Sequence, residues 1–239
     1  MPQKGNLKRI AIIQSNYIPW KGYFDIINMV DEFILYDDTQ YTRRDWRNRN
    51  RIKTANGAAW LTIPVEVKGK YYQKIDETKI SEKQWGRKHW ATIRANYSRA
   101  RFFNQYKHLF EELYLGTNEE FLSRINHKFI LAINSILGID TRISFSSDYD
   151  VIQGKSERLI DLCKQVGATE YLSGPSAKSY IDESLFLREN IGLTWMNYDG
   201  YPEYEQLYPP FVHEVSIIDL IFNTGPDAAK YMKSFNKER

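Results

Sequence analysis

The stretch Ile10-Ala11-Ile12-Ile13-Gln14-Ser15-Asn16-Tyr17-Ile18-Pro19-Trp20-Lys21-Gly22-Tyr23 decides the fold. Its four consecutive apolar residues read as a strand buried on both faces, as in a parallel sheet. Pro19 fixes the loop ahead of a helix's first turn, and an amphipathic helix is expected over 20–30. Phe33-Ile34-Leu35-Tyr36 is a second buried strand, expected over 32–37, and it ends on Asp37-Asp38. Open α/β sheets are built from such strand–loop–helix–strand units, and their ligand crevices lie at the strand C-termini.

The α/β rhythm breaks off after this unit and later returns. Asn56-Gly57 between two alternating runs predicts a hairpin with arms 48–54 and 59–65, followed by a short strand near 74–80. Helical periodicity takes over from Ser81, with helices expected to about Asn96, over 102–115 and over 117–137, capped near Ser81 and near Thr117 or Asn118. Strands at 141–146, 170–173 and 193–198 then alternate with helices at 156–166 and 182–190. An apolar helix over 215–222 contains a single acid, Asp219, and a last helix is expected after Gly225-Pro226. The expected architecture is a single α/β domain over 1–239. It has a Rossmann-like, mostly parallel sheet, a β-hairpin excursion and a mostly helical insert at about 81–137.

Composition narrows the function classes. No apolar run approaches the roughly 20 residues that span a bilayer, and the polar start Met1–Asn6 does not look like a secretory leader. The single cysteine, Cys163, rules out an internal disulfide and reads as a buried, inert thiol on an amphipathic helix. These features predict a cytoplasmic protein. The histidines lack the spacing of a helical metal site, and no metal is expected.

The net charge of +3 is unevenly spread. Arg43, Arg44, Arg47, Arg49, Arg51 and Lys53 crowd a short segment that also carries Tyr41, Trp46, Asn48 and Asn50. Fork-shaped donors beside stacking faces and amides suit a nucleotide or a sugar. At the end of the first strand, Gln14, Asn16 and Tyr17 are placed to line the crevice, and Gly22 would let a ligand approach the backbone. Asp37 or Asp38 offers a general base. Adjacent strand residues face opposite sides, so at most one of the two is expected to reach the crevice unless the strand has already ended there. His89 on the first inserted helix is a second acid–base candidate. Ser173-Gly174 with Tyr180 forms another strand-end loop rich in hydrogen-bonding groups.

Two resemblances rest on these residues. Trp20-x-Gly22-Tyr23 at the helix start is similar to the His-x-Gly-His segment of nucleotidylyltransferases, with Trp20 and Tyr23 in place of the phosphate-holding histidines. More specifically, five segments together resemble the WbqC-like family. They are Ile-Ile-Gln-Ser-Asn-Tyr-Ile-Pro-Trp-Lys-Gly-Tyr-Phe, Tyr-Asp-Asp-Thr-Gln-Tyr, Trp-Arg-Asn-Arg-Asn-Arg-Ile, Tyr-Leu-Ser-Gly-Pro with Tyr180, and Val-Ser-Ile-Ile-Asp-Leu-Ile-Phe-Asn. Ser15 departs from that pattern, since proline is common there.

The family resemblance implies an enzyme of O-antigen or other surface-polysaccharide (lipopolysaccharide) biosynthesis, a transferase that places glycine or a similar acyl group on the amine of a nucleotide-linked amino sugar. On that expectation Arg44, Arg47, Arg49 and Arg51 contact the diphosphate, Trp46 or Tyr41 stacks, and Asn48 and Asn50 read hydroxyls. Asp37 or Asp38 takes the amine's proton. The Gln14–Tyr23 loop and Ser173-Gly174 hold the acyl donor or the ATP that activates it. The partner is then a small nucleotide-sugar, with no nucleic acid, and the oligomeric state stays open. The alternatives are a nucleotidylyltransferase-like enzyme with altered phosphate ligands and a non-catalytic nucleotide-sugar-binding protein.

Overall fold

In the computed structural model, residues 7–150 and 152–235 are described. The polar start Met1–Asn6, on which the expectation of no leader rests, lies outside them. Five strands form a parallel sheet: β1 (Arg9–Ile13), β2 (Glu32–Leu35), β5 (Arg142–Phe145), β6 (Glu170–Ser173) and β7 (Gly192–Trp195), in the order β5-β2-β1-β6-β7. β3 (Arg49–Thr54) and β4 (Gly57–Thr62) form a separate antiparallel hairpin.

The unbroken apolar runs of β1 and β2 follow from burial on both faces. Ala11, Phe33 and Leu35 face one core with α1 (Lys21–Asn28) and α7 (Ile217–Thr224). Ile10, Ile12 and Ile34 face a second core with α5 (Ser156–Gln165) and α6 (Glu183–Arg188). Alternate side chains along a strand point to opposite faces, so Ile10–Ile13 and Phe33–Leu35 are apolar throughout. Each fully buried Ile or Phe contributes about 1.5–3 kcal/mol of hydrophobic stabilisation.

The insert folds as α2 (Trp85–Tyr97), α3 (Phe103–Leu115) and α4 (Leu122–Leu137), which share the first core with Ala11 of the sheet and Ile52 and Leu61 of the hairpin. Its helices start later than expected. Ser81 and Thr117 or Asn118 are not caps, and neither Gln84 nor Phe121, the residues before α2 and α4, makes a side-chain capping bond. Cross-chain pairing explains the delay: Ser81 N donates to Pro64 O at 2.9 Å and Ile80 N to Glu120 O at 2.9 Å. The expected strand at 74–80 is likewise reduced to single bridges, Gln40 with Lys74, Val65 with Ile80 and Lys79 with Phe121. α4 does end where glycine permits, on Gly138 at φ +69°.

The hairpin register differs by a step from the expected one. Thr54 pairs with Gly57 across Ala55-Asn56, so Gly57 (φ +100°) opens β4 instead of closing the turn. After α7 the chain makes a 3₁₀ segment, Gly225–Tyr231, where an α-helix was expected.

Sheet topology locates the crevice. From β1 the chain moves to β2 on one side, and from β6 it moves to β7 on the other. The switch point therefore lies between the C-termini of β1 and β6, where ligands of open α/β sheets bind. The loop Gln14–Trp20 and the loop starting at Gly174 leave from those two ends.

Candidate functional site

The loop after β1 is under backbone strain and heavily braced. Ile18 has φ +37°, a conformation disfavoured for a β-branched residue, yet its side chain is fully buried. Such strain costs of order 1–3 kcal/mol and persists only where the surroundings impose it. The bracing comes largely from the arginine-tryptophan segment, which folds back across the strand tips. Tyr17 N donates to Trp46 O at 3.0 Å, and Arg47 Nη1 donates to Gln14 O at 3.3 Å. Asn50 Nδ2 donates to the carbonyls of Tyr17 (3.1 Å) and Ile18 (3.0 Å), while its Oδ1 accepts from Arg51 N at 2.8 Å. The Asn50 amide is thereby committed to holding the loop, and it does not read a sugar hydroxyl.

Between this loop and the hairpin lies a cleft of about 200 Å³, lined by Asn16, Pro19, Trp20, Trp46, Asn50 and Glu214. Asn16, which lines the cleft, has its Oδ1 buried without a hydrogen-bond partner, an acceptor left unsatisfied. Glu214 reaches the cleft from the far end of the sequence, where its Oε2 accepts from Arg51 Nη2 at 3.0 Å. No signal in the sequence pointed to it.

Strand alternation builds a second surface beside the cleft. Asn50 and Ile52 point inward, whereas Arg49, Arg51 and the cross-strand partner of Arg51, Trp60, point outward. Trp46 and Trp60 are 39% and 44% exposed with ring centroids 5.4 Å apart, and the Arg49 guanidinium lies 4.0 Å from the Trp60 ring centroid. Two open indoles interleaved with two guanidinium groups form a stacking and anion-binding platform. Trp60 was not singled out from the sequence, although its place in an alternating strand opposite Arg51 was a usable signal.

The expected residues are spread over four settings. Asn16, Trp20, Trp46 and Asn50 meet at the cleft, and Arg51 adjoins it through Glu214. Gln14, Arg47, Gly174 and Tyr180 border the switch-point crevice: Gln14 Nε2 donates to Thr39 Oγ1 at 2.8 Å, and the Arg47 charge acts on the Tyr180 phenol. Tyr41, Arg44, Asn48 and Arg49 line a separate, shallow depression; Tyr41 is only 6% exposed there and offers no open ring face. Asn48 Nδ2 is spent on Ile63 O at 2.8 Å.

The remaining candidates are interior. Tyr23 donates to Gln14 O at 3.1 Å, and Ser173 is buried. Tyr17 and His89, expected at the crevice, sit in an aromatic cage with Trp85, Tyr114 and Phe129. The Thr62 carbonyl can only accept, so His89 Nε2–H donates to it (3.1 Å) and Nδ1 accepts from the Tyr17 hydroxyl (2.8 Å). Burial lowers the His89 pKa to about 4, so the ring is neutral and closed off from the cleft.

The aspartates correct the general-base expectation. β2 ends at Leu35, so Asp37 and Asp38 lie in the turn beyond it, where strand alternation does not apply, and they engage different partners. Asp37 Oδ1 accepts from Ser15 N at 2.7 Å and Oδ2 from the Ser123 hydroxyl; the residue is 1% exposed. Burial raises its pKa. Asp38 pairs with Arg158 and accepts from the Ser146 hydroxyl at 2.5 Å. All four oxygens are engaged, so neither carboxylate is placed to take a substrate proton.

Gly22 has a packing role. A Cβ there would lie 2.4 Å from Trp20 Cζ2, and the Trp20 ring is hemmed in by Tyr198 (5.0 Å) and Tyr201 (5.5 Å). Gly22→Ala should displace that ring and cost about 1–3 kcal/mol, as overpacking does. Near-UV circular dichroism and urea denaturation would check this, and an unchanged indole signal at full stability would refute it.

The segment 198–214 crosses this region and positions Glu214. Asp219, buried on α7, accepts from Tyr204 (2.7 Å), Gln206 (3.0 Å) and Tyr97 (2.8 Å), and burial raises its pKa. Lys21 Nζ donates to Pro202 O at 3.0 Å, and burial lowers the lysine's pKa to about 8. Cys163 is buried, and burial pushes its thiol up to about 12, in keeping with an inert group. Among the described residues no helix is long and apolar enough to cross a membrane.

Residues 14–231 match the WbqC-like protein family. The chain is also 52% identical over 227 residues to a Mycobacterium tuberculosis (strain ATCC 25618 / H37Rv) protein described as uncharacterized, covering 95% of this chain and 98% of that relative. No solved structure matches.

Proposed function

The chain belongs to the WbqC-like protein family, and from that premise we propose that it is a cytoplasmic transferase of surface-glycan biosynthesis. It forms an amide between an activated glycyl or similar acyl group and the amine of a nucleotide-linked amino sugar. The observation that supports this most is the cleft itself. Two indoles, an unpartnered amide oxygen on Asn16 and a carboxylate–guanidinium pair make a sugar-sized recognition set. It opens beside the Trp46–Trp60–Arg49–Arg51 face, which suits a nucleoside diphosphate.

In this reading the sugar lies between Trp20 and Trp46, Asn16 accepts from a hydroxyl, and Arg51 and Arg49 hold the diphosphate. The base stacks on Trp60. The neutral sugar amine attacks the acyl carbonyl carbon, the C–N bond forms, the bond from that carbon to the activating group breaks with its electron pair leaving on that group, and the amine's proton passes to solvent. Asp37 and the Asn50 amide keep the loop in register.

The test is incubation of the pure protein with nucleotide-linked amino sugars, glycine and ATP, followed by mass spectrometry. An adduct heavier by one glycyl group is expected. If calorimetry shows no binding of any nucleotide-linked sugar by folded protein, the reading falls. Binding without any adduct would instead favour a non-catalytic nucleotide-sugar-binding protein.

A further inference from the structure

We propose that Glu214 is the residue that reads the amine, so that the cleft selects amino sugars over the corresponding hydroxy sugars. This rests on the nucleotide-sugar reading above and adds a specificity determinant to it.

Glu214 differs from the other acids nearby. Asp37 and Asp38 have every carboxylate oxygen engaged, by Ser15, Ser123, Ser146 and Arg158. Asp45 Oδ1 accepts from Trp46 N at 2.7 Å, and its Oδ2 lies 3.5 Å from Arg47. Glu214 is the carboxylate that lines the cleft, and its single bond from Arg51 uses Oε2, which leaves Oε1 available.

Just after Glu214 the chain is pinned to both walls of the cleft: Ser216 N donates to Arg51 O at 2.8 Å and Ile217 N to Pro19 O at 2.9 Å. Ser216 also caps α7 through its hydroxyl, which accepts from Ile218 N at 3.3 Å. The exposed Glu214 side chain therefore stands on fixed backbone and does not depend on a swinging loop.

A nucleotide-linked amino sugar carries a cationic ammonium a few bonds from an anionic diphosphate. The Arg51–Glu214 pair presents the opposite signs side by side, at 3.0 Å. Binding would exchange one internal ion pair for two external ones, with Arg51 turning to phosphate and Glu214 to the amine. A hydroxyl in place of the amine offers Glu214 a neutral donor and forfeits the charge-assisted bond.

Calorimetric titration with a thymidine-diphosphate-linked amino sugar and the same nucleotide sugar bearing a hydroxyl in place of the amine would test this. The wild-type protein should prefer the amino sugar by about tenfold or more, as a charge-assisted bond implies. In Glu214→Gln the preference should fall to about twofold or less, with affinity for the hydroxy sugar retained; Glu214→Asp should restore part of it. If wild-type protein binds both sugars equally, or Glu214→Gln keeps the full preference, this assignment is wrong while the nucleotide-sugar reading survives. If neither compound nor any other nucleotide sugar binds, both fall together.

Discussion

Replacing Asp37 with alanine should destabilise the protein by about 2–5 kcal/mol, whereas Asp37→Asn should cost about 1 kcal/mol or less. The carboxylate accepts from the Ser15 backbone N–H and from the Ser123 hydroxyl inside the protein. Alanine would leave both donors buried without partners, at about 1–3 kcal/mol each. An asparagine carbonyl can still accept from Ser15 N, and its amide can donate to a reoriented Ser123 hydroxyl. Removing the charge is itself no loss, because burial already disfavours the ionised form of Asp37.

The same pair of variants separates two roles. A general base contributes about 10²–10⁴-fold to rate, so a catalytic Asp37 would show as a folded Asp37→Asn protein with amide formation lost on that scale. The buried geometry leads instead to turnover within about tenfold of wild type for Asp37→Asn, and to a weakened cleft for Asp37→Ala, whose Ser15 anchor is gone. Urea denaturation alongside the glycyl-transfer assay reads both. A stable but inactive asparagine variant would return Asp37 to the chemistry.

The contrast between what the sequence revealed and what it hid follows the range of the interactions involved. β1 and β2 were legible because burial on both faces forces an unbroken apolar run, and α4 ends at Gly138 because a left-handed residue closes it. Asn56-Gly57 announced the hairpin, though not its register. Contacts between distant segments left no trace in one sequence. Ser81 lost its capping role to a backbone bond with Pro64, and Tyr17 pairs with a histidine 72 positions away. Glu214 belongs to the cleft only because residues 216 and 217 are tied to Arg51 and Pro19. The arginine cluster was visible as a cluster, yet strand alternation divides it. Arg49 and Arg51 stand on an outward face with Trp60, while Arg47 turns to the crevice between β1 and β6.

His89 illustrates the cost of that blindness and supplies the other large expected effect. Conformational stability should fall by about 3 kcal/mol more in the wild type than in His89→Gln as pH drops from 6.5 to about 4. The sign follows from linkage. The folded pKa lies below that of the unfolded chain, so in this window the unfolded chain takes up a proton that the folded protein refuses. The contribution is complete above pH 6.5, is lost progressively on acidification, and is gone by the folded pKa. Asp37 and Asp219 have raised pKa values and pull the other way in part of the same range, so the difference between variants is the quantity to measure. Urea titrations at a series of pH values would provide it, and a difference that does not change with pH would refute the neutral, sealed imidazole. Protonating Nδ1 would reverse its bond with the Tyr17 hydroxyl, which can then donate to the Tyr114 hydroxyl at 2.9 Å, so the hydroxyl keeps its partners and the cost of acid is the buried charge itself.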